Sequence, residues 1–124
     1  KRIEGDGYFF EPSVLTNVDH SMLIMREESF GPIIGIMKVS NDEEALQLMN
    51  DTSYGLTASV YSSNRQRAEK LLAATDAGTG YWNCCDRVSA ALPWSGRKHS
   101  GFGATLSHAG IRAFTQPKAF HLRG

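Results

Sequence analysis

The sequence predicts an α/β fold with a mostly parallel sheet and flanking helices. Three observations carry that expectation. Short apolar or β-branched runs alternate with stretches whose apolar residues recur at helical spacing. The run "PIIGIMKVS", from Pro32 to Ser40, is mostly apolar without alternation, as in a strand covered on both faces. The helical stretches between strands are long enough for βα crossovers, which join parallel neighbours through right-handed connections.

Each element follows from its residues. "GYFFEPSVLTNV" is rich in aromatic and β-branched residues and is interrupted by Pro12, so it reads as an edge or irregular strand. After "PIIGIMKVS", Ser40 and Glu43 make a capping-box pattern. Ala45, Leu48, Met49 and Thr52 then share one helical face, with Gly55 expected as a left-handed stop. "LTASVYSS" returns to strand. Ser63 or Asn64 caps the next helix, whose apolar face is Ala68, Leu71, Leu72 and Thr75 and whose end falls near Gly78. "GTGYWNC" is a short strand. Leu106, Ala109, Gly110 and Ala113 indicate a third helix ended by Pro117, and "KAFHLR" alternates like a closing strand. The expected organisation is one body over residues 1–117 and a terminal strand over 118–124.

Composition narrows the function. A chain of 124 residues with 41% hydrophobic and 21% charged residues has the make-up of an ordinary globular protein. Thirteen basic residues balance thirteen acidic ones, which argues against nucleic-acid or anionic-membrane partners. No apolar run approaches the ~20 residues that span a bilayer. The two cysteines, Cys84 and Cys85, are adjacent and make a poor disulfide pair, so a reducing, cytoplasmic setting is expected. Lys1 opens the chain without a signal-peptide pattern, and the first residues read as the middle of a longer polypeptide. Between Cys85 and Gly103 lies a long stretch of turn formers. Structureless connections longer than ~12–15 residues are often functional.

Four stretches together carry a resemblance: "EESFGP" at Glu27–Pro32, "NDTSYGLTASVYS" at Asn50–Ser62, "AGTGYWNC" at Ala77–Cys84 and "LPWSGRKHSGFG" at Leu92–Gly103. In this order and spacing the chain resembles the aldehyde dehydrogenase superfamily, specifically its C-terminal quarter with the strand that serves oligomerisation. The resemblance implies NAD or NADP as cofactor, an aldehyde as small-molecule substrate, oxidation to a carboxylic acid, and a homo-oligomer (dimer or tetramer).

It also implies roles for particular residues. Glu28 matches the family's Glu that bonds the hydroxyls of the nicotinamide-side ribose, since one carboxylate can accept both O–H groups of a cis diol. Phe30 matches the aromatic beside the nicotinamide. Without the family, the same letters read as a solvated turn with a core aromatic, and Glu27 keeps that reading as a surface charge. The long loop matches the wall of the substrate route, giving Asp86, Arg87, Val88 and Trp94 as substrate-binding candidates. Arg87 departs from the apolar residues common there and is open to two readings, a partner for a substrate carboxylate or a solvent-facing charge.

The family's nucleophilic cysteine and general base are expected upstream of Lys1, so no catalytic residue is assigned in this chain, and Cys84 and Cys85 read as a structural pair. The fragment alone is then expected to be inactive. His99, His108 and His121 lack metal-ligand spacing with the cysteines, so no metal site is expected. "GRKHSGFG" fits neither common phosphate-binding glycine motif, and its glycines read as turn formers. The alternative from another class is a non-catalytic α/β interaction module that associates through edge strands.

Overall fold

The computed structural model describes residues 1–85 and 87–124. The chain forms two compact units, Lys1–Leu48 and Met49–Gly124.

In the first unit, β1 (Ser13–Thr16) and β2 (Ile33–Ile36) pair in parallel, with Ser13 opposite Ile33 and Thr16 opposite Ile36. A one-turn helix, α1 (Leu23–Arg26), lies in the connection between them. Ser21 donates from its amide and its hydroxyl to Asp19 Oδ1, 2.8 and 2.5 Å. These bonds hold the Asp19 carboxyl below the usual carboxylate range. Their contribution is complete above the unfolded carboxyl's value and is lost as pH falls through the lowered one. At Gly35 the missing Cβ leaves room for the Met25 sulfur and for Val18, which is 8% exposed.

Helix α2 (Asp42–Asn50) follows. Its cap is shifted by one residue from the expected Ser40/Glu43 pair. Asn41 Oδ1 accepts the Glu44 amide at 2.8 Å, and the Glu44 carboxylate reaches back to the Ser40 amide at 2.7 Å. Asn41 offers a side-chain oxygen of the same reach as serine's, so the reciprocal pairing forms one step later.

The second unit is built on a βαβ element. β3 (Thr57–Val60) leads through α3 (Arg65–Ala74) to β4 (Thr79–Trp82), in parallel register from Thr57–Thr79 to Val60–Trp82. Asn64, one of the two caps the sequence offered beside Ser63, caps α3, its Oδ1 accepting the Arg67 amide at 3.0 Å. Ala68 is fully buried on the face of α3 that packs on both strands, and Gly80 lets Leu72 close onto β4. On the opposite face Tyr81 is 7% exposed; among the described residues neither its hydroxyl nor that of Thr79 has a partner. A short helix, α4 (Ser107–Arg112), stands after the long loop.

The fold class is therefore α/β with parallel strand pairs and helices, as expected, but two expectations change. The strands form two separate two-stranded sheets, β1–β2 and β3–β4, in place of one mostly parallel sheet. A helical crossover is as compatible with non-adjacent strands as with adjacent ones, and β2 pairs with β1. Gly55 does not adopt a left-handed conformation, since α2 has already ended at Asn50. Its requirement is steric, because a Cβ there would meet the Asp76 carbonyl. Residues 118–124 form no strand in the single chain, and a strand that serves oligomerisation would take its partner edge from a second copy. A ladder needs a second edge, and alternation alone supplies only one.

Candidate functional site

The expected cofactor pair lies in the first unit, between the end of α1 and the start of β2. The Glu27 amide closes α1 on the Leu23 carbonyl at 2.8 Å, so the chain leaves the helix in extended conformation. Pro32 then sits in a tight turn whose ends join through the Ile33 amide and the Gly31 carbonyl, 2.8 Å apart. The Pro32 carbonyl accepts the Ser13 amide at 2.8 Å, tying the turn to β1. The segment Glu28–Gly31 is thus fixed at both ends by backbone bonds.

Its side chains are not used by the fold. Phe30 is 97% exposed, which contradicts a core aromatic. Glu28 is exposed, and its carboxylate has no hydrogen bond or ion pair among the described residues. A carboxylate and a ring two residues apart, both exposed on a braced turn, can accept two hydroxyl donors and offer an apolar surface.

The substrate-loop candidates lie in the second unit. Asp86 falls outside the described residues. Arg87 is exposed and has no ion-pair partner among the described residues, in line with the solvent-facing reading. Val88 is 59% exposed. Trp94 is half-buried and held by an antiparallel bridge to Thr105, its amide donating to the Thr105 carbonyl at 2.7 Å and its carbonyl accepting at 2.9 Å. It lines an open cavity of about 190 Å³ together with Leu56, Phe102 and the Gly101–Thr105 backbone. Arg87 and Val88 do not line that cavity.

The rest of the loop is braced by long-range backbone bonds. The Arg97 amide donates to the Gly55 carbonyl and the His99 amide to the Ser53 carbonyl, both at 2.9 Å. Ser100 Oγ accepts the Gly55 amide at 3.0 Å. The Lys98 ammonium donates to the Asn50 and Thr52 carbonyls at 2.8 and 3.1 Å and pairs with Asp76 at 3.7 Å. It thereby covers carbonyls left open at the end of α2. Lys98 itself has a positive φ of 53°, and Gly101 and Gly103 have φ of 110° and 89°. The amides a phosphate cradle would need at Arg97 and His99 are already bonded, so "GRKHSGFG" is a structural knot. His99 stands edge-on to Tyr54, with ring centroids 6.5 Å apart.

Both cysteines are free thiols, Cys84 half-buried and Cys85 exposed. Among the described residues no cluster of His, Cys, Asp and Glu could hold a metal ion. No helix among them is long and apolar enough to cross a membrane. Two residues with clear positional roles carried no signal of role in the sequence: Lys98, and Asn83 at the end of β4. Their partners lie 21 to 48 residues away, beyond any local pattern.

The family model described as "Aldehyde dehydrogenase family" matches residues 1–120. The peroxisomal aminoaldehyde dehydrogenase 1 of Pisum sativum is 43% identical over 112 residues, covering 90% of this chain and 22% of that protein. The chloroplastic betaine aldehyde dehydrogenase of Beta vulgaris is 39% identical over 112 residues, again 90% of this chain and 22% of the relative. Among solved structures, betaine aldehyde dehydrogenase from Staphylococcus aureus in complex with NAD+ superposes with a TM-score of 0.86 at 38% identity, covering 92% of this chain and 23% of that one. Succinic semialdehyde dehydrogenase from Streptococcus pyogenes, in complex with NADP+, gives a TM-score of 0.92 at 32% identity, over 100% of this chain and 27% of that one. The chain spans about a quarter of the length of these relatives.

Proposed function

The chain belongs to the aldehyde dehydrogenase family, and from that premise we propose that it supplies the cofactor-positioning turn and a substrate-loop wall of an NAD(P)+-dependent enzyme that oxidises an aldehyde to a carboxylic acid. The observation that carries this reading is the Glu28/Phe30 pair. A braced turn presents an unpartnered carboxylate and a ring that is 97% exposed, at the motif where the family holds its cofactor.

The residues fit a dinucleotide at that place. Bound there, the nicotinamide would supply the hydride acceptor. Glu28 would accept both hydroxyls of the adjoining ribose, a bidentate arrangement that fixes the sugar's rotation as well as its position. Phe30 would limit how far the ring can swing and keep water from its face. Because the turn is held at Leu23, Gly31 and Ser13, little further ordering is needed on binding. Trp94 and Val88 would offer apolar contact to the aldehyde.

In this reading the chain corresponds to the C-terminal portion of the family fold, with the nucleophile and general base supplied by polypeptide outside it. The motif order supports that placement. The exposed Phe120 and Leu122, on a segment without a strand partner, support a role for 118–124 in a homo-oligomer. The free, adjacent thiols support a cytoplasmic setting.

The test is a structure of the complete enzyme with its dinucleotide. Glu28 is expected within hydrogen-bonding distance of the ribose diol, and a carboxylate turned away from the sugar overturns the assignment. A second check uses the 124-residue chain by itself. It is expected to reduce no NAD+ when given an aldehyde. Turnover that stops on alkylation of Cys85 would move the nucleophile into this chain.

A further inference from the structure

The substrate-wall reading above leaves open what aims the loop as it leaves β4. We infer that Asn83 is a positioning residue for the aldehyde, acting through the loop it launches. Asn83 is the residue at which β4 ends and the loop begins. Its φ is 54°, in the left-handed region that Asn tolerates better than most side chains. That conformation turns the chain out of the strand direction at a single residue.

The turn is locked by a two-point clamp. Asn83 Oδ1 accepts the Ser62 amide at 2.8 Å, and Asn83 Nδ2 donates to the Ser62 carbonyl at 3.0 Å. The side chain thus imitates one more residue of the parallel ladder, just past the last paired residues Val60 and Trp82. The Asn83 amide donates to the Val60 carbonyl at 3.0 Å, so backbone and side chain pin the same residue. Trp82 Nε1 also donates to the Ser62 carbonyl, at 2.9 Å, and Ser62 Oγ accepts the Asn64 amide at 3.1 Å. Asn64 in turn caps α3. The exit direction of the loop is therefore referred to a rigid helix start, five residues before Val88.

The chemistry needs an amide side chain. A carboxylate can accept the Ser62 amide but sets a lone pair against the Ser62 carbonyl. A glycine keeps the backbone conformation and loses both contacts. Neither change alters a residue of the cofactor turn, Glu28–Gly31. Misplacing a wall by about 1 Å can cost roughly 10²-fold in turnover efficiency.

The experiment uses the complete enzyme carrying Asn83→Asp and Asn83→Gly. KM for the aldehyde is expected to rise about tenfold in both, with KM for the dinucleotide unchanged within roughly twofold. Amide exchange at Ser62 should accelerate while that of α3 stays protected. Equal losses across kcat, both KM values and melting temperature would mean a purely structural residue and overturn the inference, as would an unchanged aldehyde KM. A control separates this from the underlying reading. If Val88→Ala and Trp94→Ala also leave aldehyde KM untouched, the substrate-wall assignment fails. If they raise it and the Asn83 variants do not, only the clamp fails.

Discussion

Replacing Gly78 by alanine is expected to cost about 3 kcal/mol or more of stability, the upper range for forcing atoms into a packed site. The added Cβ would fall inside contact distance of the Ser95 carbonyl, with its carbon 2.6 Å away and the Gly96 nitrogen at 3.3 Å. Those neighbours are backbone, so no rotamer change relieves the clash. Gly78 cannot retreat either, because its amide is bonded to the Gly55 carbonyl at 3.0 Å and Thr79 begins β4 one residue later. The Gly55 carbonyl also receives the Arg97 amide, so a shift at Gly78 loosens the knot that holds the distal loop. Gly101→Ala is the control. Its site is open space with φ 110°, and the loss there should be only about 1 kcal/mol of backbone strain. Chemical denaturation of the two variants separates them, and equal midpoints would refute the packing argument.

The second large effect concerns Glu28→Gln in the complete enzyme. Hydrogen bonds to a charged acceptor contribute about 1.5–3 kcal/mol, which corresponds to roughly 10- to 100-fold weaker cofactor engagement or slower hydride transfer. On the proposed reading, glutamine keeps one acceptor oxygen but presents an amide nitrogen where the second ribose hydroxyl would need an acceptor. Stability should hardly move, because the carboxylate has no internal partner among the described residues. Steady-state kinetics with varied dinucleotide, read beside the melting temperature, decides the matter. Parallel losses of rate and melting temperature would return Glu28 to a structural role.

Much of this architecture was legible because its causes are local. Asn64 announces α3 through its side-chain oxygen, and the position of Ala68 under that helix follows from period alone. The cap of α2 was legible only to within a residue, since Ser40 and Asn41 are both competent acceptors and a Glu follows each of them three residues later. Helix α1 was not legible. A single turn with no side-chain cap leaves too few residues for a period. The pairing of strands was not legible either, because which edges meet depends on tertiary packing. In the candidate site, Glu28 and Phe30 were proposed from a compact motif. Asn83 and Lys98 were missed because each acts on carbonyls far along the chain, where no spacing rule reaches.

The loop after β4 is held very unequally along its length. From Trp94 to Thr105 it is stitched to residues 50–55 and to itself, whereas Arg87 stands exposed. Trypsin cutting after Arg87 should therefore leave a nicked species whose two pieces co-elute under native conditions and part only in denaturant.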